Sequence, residues 1–190
     1  SEVTKGQIIN MMVGHVIYEQ PKTKSAVPPD APVVLRAHKL NAGNLVRDVS
    51  FELHKGEILG FSGLIGAGRT ETARAIFGAD EIQSGWVEVN GRQVRIHSPQ
   101  DAVRKGIGYI SEDRKRFELA LNLSVKDNMV LAAYDQFMRG LFINAKKVQD
   151  VTEQYIKRLN IKTPSIDQLI LNLSGGNQQM VVISKWLICN

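Results

Sequence analysis

The stretch Gly63-Leu64-Ile65-Gly66-Ala67-Gly68-Arg69-Thr70 constrains the fold of this chain more than any other. It follows an apolar run, residues 57–63 (EILGFSG), and precedes a helical pattern from about Arg69 to Phe77 that Gly78 closes. Gly63, Gly66 and Gly68 let the backbone take dihedrals closed to other residues and come close to a ligand. The loop N–H groups then point inward, and the positive end of the next helix faces the same space. Such a junction cradles phosphate. The spacing fits G-x-x-x-x-G-K-[ST] except that Arg69 stands in the lysine position. Arginine keeps the charge but presents a planar fork instead of a compact ammonium. The Thr70 hydroxyl is a candidate Mg²⁺ ligand. The plainer alternative is a glycine-rich strand-to-helix turn with no ligand.

The rest of the chain reads as mixed α/β. Strands are expected at 33–40, at 49–55 and, buried, at 57–63, with a further short strand at 107–110 (IGYI). Trp86–Val89 and Gln93–Ile96 flank Asn90-Gly91, the dipeptide that type I′ hairpins favour. Ser98 followed by Pro99 marks a helix start. Helices are expected at 124–134, 145–160 and 174–189. The first 20 residues read as a short helix that Gly14 closes, and 20–32 as a proline-rich linker. With 190 residues, the chain makes one domain, or one domain with that linker attached. The lone cysteine, Cys189, and the lack of a secretory segment point to a reducing compartment. No apolar run is long enough to span a membrane. The net charge of +5 suits nucleotide, nucleic acid or an acidic membrane surface and decides among none of them. Arg114-Lys115-Arg116 reads as a solvated charged turn, and a nucleic-acid module would want basic residues interleaved with aromatics. His15, His38, His54 and His97 lack metal spacing, and Gly60-Phe61-Ser62-Gly63-Leu64 fails the hydrolase elbow at its last position.

A second anion-receptive segment lies further on. Leu173-Ser174-Gly175-Gly176-Asn177-Gln178-Gln179 places a serine and two glycines at the head of an apolar helix. Alone it would be a helix cap. Joined to the glycine loop, GEILGFSGLIGAGRTE, GIGYISEDRKR and LNLSGGNQQMVVISKWL together resemble the ATP-binding-cassette ATPases, in particular the second cassette of two-cassette bacterial sugar importers. The resemblance spans 33–190.

It implies a P-loop cassette core with an antiparallel β-subdomain and a helical subdomain: 1–32 as the end of a preceding cassette and linker, 33–113 as β-subdomain and core, 114–190 as the helical part. By the same resemblance Gly63, Leu64, Ile65, Gly66, Ala67, Gly68, Arg69, Thr70 and Glu71 bind nucleotide. Leu173, Ser174, Gly175, Gly176, Asn177, Gln178 and Gln179 form the signature motif. Glu112 takes the Q-loop position, where the family carries glutamine, and joins Thr70 as a Mg²⁺ ligand. The implied cofactors are ATP and Mg²⁺. The implied partners are a first cassette of the same polypeptide, a transmembrane permease and, indirectly, a sugar-binding protein, at the cytoplasmic face of the cell membrane.

Beside Glu112, three further departures qualify this. Arg69 replaces lysine. No aromatic lies in 38–48 to stack on adenine, leaving Leu40 or Leu45 as apolar substitutes. The family's Walker B strand and switch histidine would follow Asn190, so a fragment without its own catalytic base is expected, with no catalytic residue assigned. The family builds composite sites, one cassette's loop against the other's signature. Ser174, Gly176 and Gln178 would then cap ATP held by the partner cassette, and the altered loop would serve a weaker site. Phe117, Leu119 and Leu121 are candidate permease contacts, or simply pack beneath the helices. The alternative function is a non-catalytic regulatory or interaction module; a GTPase or kinase has no use for LSGGNQQ.

Overall fold

The computed structural model describes residues 27–189; the expected first helix and most of the linker lie outside them. Val33–Ala42 (β1) and Val46–His54 (β2) form a hairpin, and β1 is flanked on its other side by Ser84–Val89 (β3), which pairs with Arg92–Val94 (β4). All pairings are antiparallel, in the order β2-β1-β3-β4. The β3–β4 turn behaves as expected: Asn90 and Gly91 both have positive φ, 49° and 75°, as a type I′ turn requires.

Helix α1, Arg69–Ile76, packs on this sheet. Ala75 and Ile76 meet Ala37, Leu40, Ala42, Val46 and Val87 in one buried cluster. Gly78 ends the helix at φ 72°, its N–H donating to the Ala75 carbonyl. Pro99–Arg104 (α2) starts as read: the Ser98 hydroxyl accepts from the Asp101 N–H, with Pro99 in the first turn.

The second half is helical. A short turn, Arg114–Phe117 (α3), leads to Val125–Val130 (α4), which runs into a 3₁₀ segment, Leu131–Phe137, so the helix expected over 124–134 is only half α. A two-residue hairpin, Met138–Arg139 (β5) with Phe142–Ile143 (β6), precedes Ala145–Arg158 (α5). The last helix is Gly175–Ile188 (α6). Val125, Met129, Phe137, Ile170, Val181 and Val182 form its core with α4, separate from the cluster under the sheet. Trp186 stands at the junction: Phe77 meets it edge-on at 5.6 Å, and Phe77 in turn lies 5.4 Å from Tyr109, tilted.

Two expected strands are corrected. Neither 57–63 nor 107–110 is a strand, and neither joins a sheet among the described residues. A strand needs a neighbour to take its N–H and C=O groups, and both runs instead border a cleft of about 820 Å³ lined by Phe51, Ile58, Phe61, Ile76, Ile107 and Tyr109. The run expected to be buried is largely exposed, Ile58 at 98%. Among the described residues no helix is long and apolar enough to cross a membrane.

Candidate functional site

The glycine loop is open on its outer face. Gly66 and Gly68 take φ of 83° and 81°, where side chains are strained. Gly68 is the N-cap of α1 and offers no side chain to the helix's first N–H groups, which leaves them for an anion. Two of the glycines are also required for space. A Cβ on Gly68 would lie 2.7 Å from the Leu45 carbonyl oxygen, and one on Gly63 would lie 2.9 Å from the Ala67 Cβ. Thr72 fastens the loop's end, its hydroxyl donating to the Gly68 carbonyl at 2.7 Å. Leu64, Ile65, Ala67 and Arg69 are exposed, and Arg69 lies along the rim of the apolar cleft.

Thr70 and Glu112, distant in sequence, face each other. The Thr70 hydroxyl lies 3.5 Å from Glu112 Oε1. Two hard oxygens this close suit Mg²⁺, which takes one or two protein oxygens and leaves its other positions to water and phosphate. Among the described residues no group of three or more His, Cys, Asp and Glu gathers, so a transition-metal site has no donors there.

Beside the loop the β1–β2 turn makes a hollow of about 440 Å³, lined by Ala42, Gly43, Asn44, Leu45, Glu71 and Asp80. Of the two leucines considered as substitutes for a stacking aromatic, Leu40 is corrected: it is wholly buried in the sheet cluster. Leu45 is 47% exposed and borders the hollow. Asp80 is held there by Arg74, which donates from Nη2 and Nε at 2.7 and 2.8 Å. Those bonds hold the Asp80 carboxyl below the usual carboxylate range.

The LSGGNQQ segment forms the head of α6. Ser174, Gly175, Gly176 and Gln179 are exposed and Asn177 half-buried. The Ser174 hydroxyl accepts from Asn177 Nδ2 at 3.0 Å and does not cap the helix, so its first N–H groups stay open. Asn177 Oδ1 accepts from the Lys162 N–H at 2.9 Å, which ties the head to the loop after α5. Leu173 is buried. Gln178 is corrected: its side chain is 3% exposed and turns inward, donating to the Ile170 carbonyl at 3.1 Å, so it is not presented at the surface with Ser174 and Gly176.

Arg114 also departs from the sequence reading. It is half-buried, its Nη1 donates to Gln179 Oε1 at 3.2 Å, and Lys115 and Arg116 alone form the solvated turn. Leu119 packs in the helical core with Leu121 against it, whereas Phe117 is 55% exposed beneath the guanidinium of Arg116. Sequence reading missed the buried pair Glu118–Lys185 altogether; the lysine within the otherwise apolar run of α6 was the available signal.

These features, a glycine loop opening a helix on an antiparallel sheet and a second glycine-headed helix in a helical layer, define the ATP-binding-cassette fold. The family model for ABC transporters matches residues 46–190, and the chain belongs to that family. More particularly, it is 48% identical over 99% of its length to a putative ribose/galactose/methyl galactoside import ATP-binding protein from Burkholderia lata. A ribose import ATP-binding protein from Rubrobacter xylanophilus is 45% identical over 98% of the chain. The chain spans 37% of the length of each. Among solved structures it resembles an ATP-binding cassette of an ABC transporter, with TM-score 0.68 and 17% identity over 84% of this chain and 66% of that one. A dimeric cassette in a post-hydrolysis state with ADP and Pi gives 0.66 at 16% identity, over 82% and 70%.

Proposed function

We propose that this chain is part of the second cassette of a sugar importer's ATPase, and that its LSGGNQQ head completes the stronger of two composite ATP sites. The carrying observation is the open head of α6, with Ser174 and Gly176 exposed and the first-turn N–H groups uncapped. That surface accepts the phosphates of a nucleotide held by another cassette's loop. The chain's own loop, residues 63–70, holds the second nucleotide through its N–H groups, with Thr70 and Glu112 on its Mg²⁺ and Glu71 at the rim of the Leu45 hollow. Leu45 gives adenine an apolar contact but no stacking face, which weakens that site. ATP at the stronger composite site, held by the other cassette's loop against Ser174 and Gly176, supplies the phosphoanhydride whose hydrolysis drives transport.

The partners on this reading are a first cassette in the same polypeptide, permease subunits and, through them, a sugar-binding protein. The place is the cytoplasmic face of the cell membrane, and the names of the relatives favour a pentose or hexose as cargo. Phe117, exposed near the entry to the helical layer, is the candidate permease contact. The division at 32/33 and 113/114 accompanies this reading.

The test compares Ser174→Arg with Arg69→Ala in the full-length transporter. Ser174→Arg fills the signature head with a bulky cation and lowers ATPase activity at least tenfold; Arg69→Ala lowers it less. A larger loss from Arg69→Ala would overturn the assignment.

A further inference from the structure

Glu118 is an unusual carboxylate for this chain, because its side chain is only 3% exposed and its two oxygens serve different elements. Oε1 accepts the Ser111 N–H at 3.1 Å, and Oε2 pairs with Lys185 Nζ at 2.5 Å. Lys185 also donates to the Glu118 carbonyl at 3.0 Å and lies 4.9 Å from the Trp186 ring. Ser111 immediately precedes Glu112, which faces Thr70 of the glycine loop. A single buried carboxylate therefore ties the backbone beside the glycine loop to the body of α6.

The head of α6 is held from the same short turn. Glu118 follows Arg114 by one helical turn, its N–H donating to the Arg114 carbonyl at 2.9 Å. Arg114 Nη1 reaches Gln179 at 3.2 Å, and its Nη2 occupies the space over Gly175, only 2.7 Å from where a Cβ would stand. The absence of a side chain at Gly175 is what admits the guanidinium. Arg114 and Glu118 thus grip α6 near its head and near its tail.

A buried ion pair stabilises a fold little compared with apolar side chains of similar volume, although removing one partner alone is strongly destabilising. In some proteins such a pair instead fixes the register of the elements it joins. We infer that Arg114 and Glu118 are positioning residues: they hold the signature helix in register with the Thr70–Glu112 pair. The state of this chain's own loop then sets how Ser174 and Gly176 meet the nucleotide across the composite site. This rests on the composite-site reading above.

The experiment uses the full-length transporter with its permease and compares wild type with Glu118→Met/Lys185→Met and, separately, Arg114→Met. The double variant replaces the pair with apolar volume but takes a partner from the Ser111 N–H and the Glu118 carbonyl, so its Tm is measured beside its activity. Its KM for ATP stays within twofold, because neither residue lies in the glycine loop, while kcat falls at least fivefold. Arg114→Met shows the same split. A double variant of unchanged Tm that loses less than fivefold in kcat overturns the inference, as does a loss confined to KM. If the double variant does not fold or its Tm falls further than a few degrees, Arg114→Met decides by the same criterion. Wild-type ATPase activity and its loss in Ser174→Arg serve as controls: if either is missing, the composite-site reading fails. If both hold and the positioning variants are unaffected, only this inference fails.

Discussion

Asp80 accepts two hydrogen bonds from the Arg74 fork at the edge of the Leu45 hollow, and its pKa is lowered chiefly by those bonds. A carboxyl with a lower pKa in the folded than in the unfolded chain stabilises above the unfolded value, about 3.9. That stability is lost as the pH falls through the folded value. Arg74 and Asp80 side chains are 31% and 36% exposed, so solvent screens the pair. Asp80→Asn should therefore cost about 0.5–1 kcal/mol at pH 7 and nothing below the folded pKa; thermal unfolding of both proteins over roughly pH 2–7 measures it. Asn128 matters differently at the same scale. It is 1% exposed, accepts the Ala120 N–H at 2.8 Å, and donates to the Ala120 and Ser124 carbonyls at 3.0 and 2.9 Å. Asn128→Ala would strip the 120–124 turn of those partners, with an expected loss of about 2–3 kcal/mol in chemical denaturation. Nothing local in the sequence marks Asn128, because its partners are chosen by how the turn folds back on α4.

Among the elements, the β1–β3 pairing turns on one glycine. Gly85 has φ 90°, and a Cβ there would run into the His38 and Lys39 carbonyl oxygens. Gly91, at φ 75° in the hairpin turn, has open space around its missing Cβ. Gly85→Ala should cost about 2–4 kcal/mol, combining backbone strain with a clash. Gly91→Ala should cost only about 1 kcal/mol, from strain alone. Equal losses in Tm for the two variants would contradict the close-approach account of Gly85. Elements whose signals are local were legible: the Asn90-Gly91 turn, the Ser98 cap with Pro99, and the Gly78 stop each carry their own chemistry. The runs 57–63 and 107–110 were misread because an apolar run of strand length states a preference, and only a partner makes it a strand.

Across the whole molecule, the cleft bordered by Ile58, Phe61, Ile107 and Tyr109 leaves apolar side chains open beside the sheet and α1. A cleft with apolar walls can take up a hydrophobic probe. The 190-residue chain should enhance the fluorescence of anilinonaphthalene sulfonate, and Ile58→Asp should reduce that signal while moving stability by no more than about 0.5 kcal/mol. An unchanged signal would place the probe elsewhere. By itself the sequence determined the two glycine-headed helices, their spacing and the family they identify, because caps, turns and backbone freedom are properties of neighbouring residues. The tertiary structure alone decided that Gln178 and Leu40 face inward while Leu45 faces the loop. It also decided that Thr70 meets Glu112, that Arg114 reaches Gln179 and that Glu118 pairs with Lys185. Each of these depends on which distant surfaces share a core, and burial and pairing across such distances are written in no single stretch of chain.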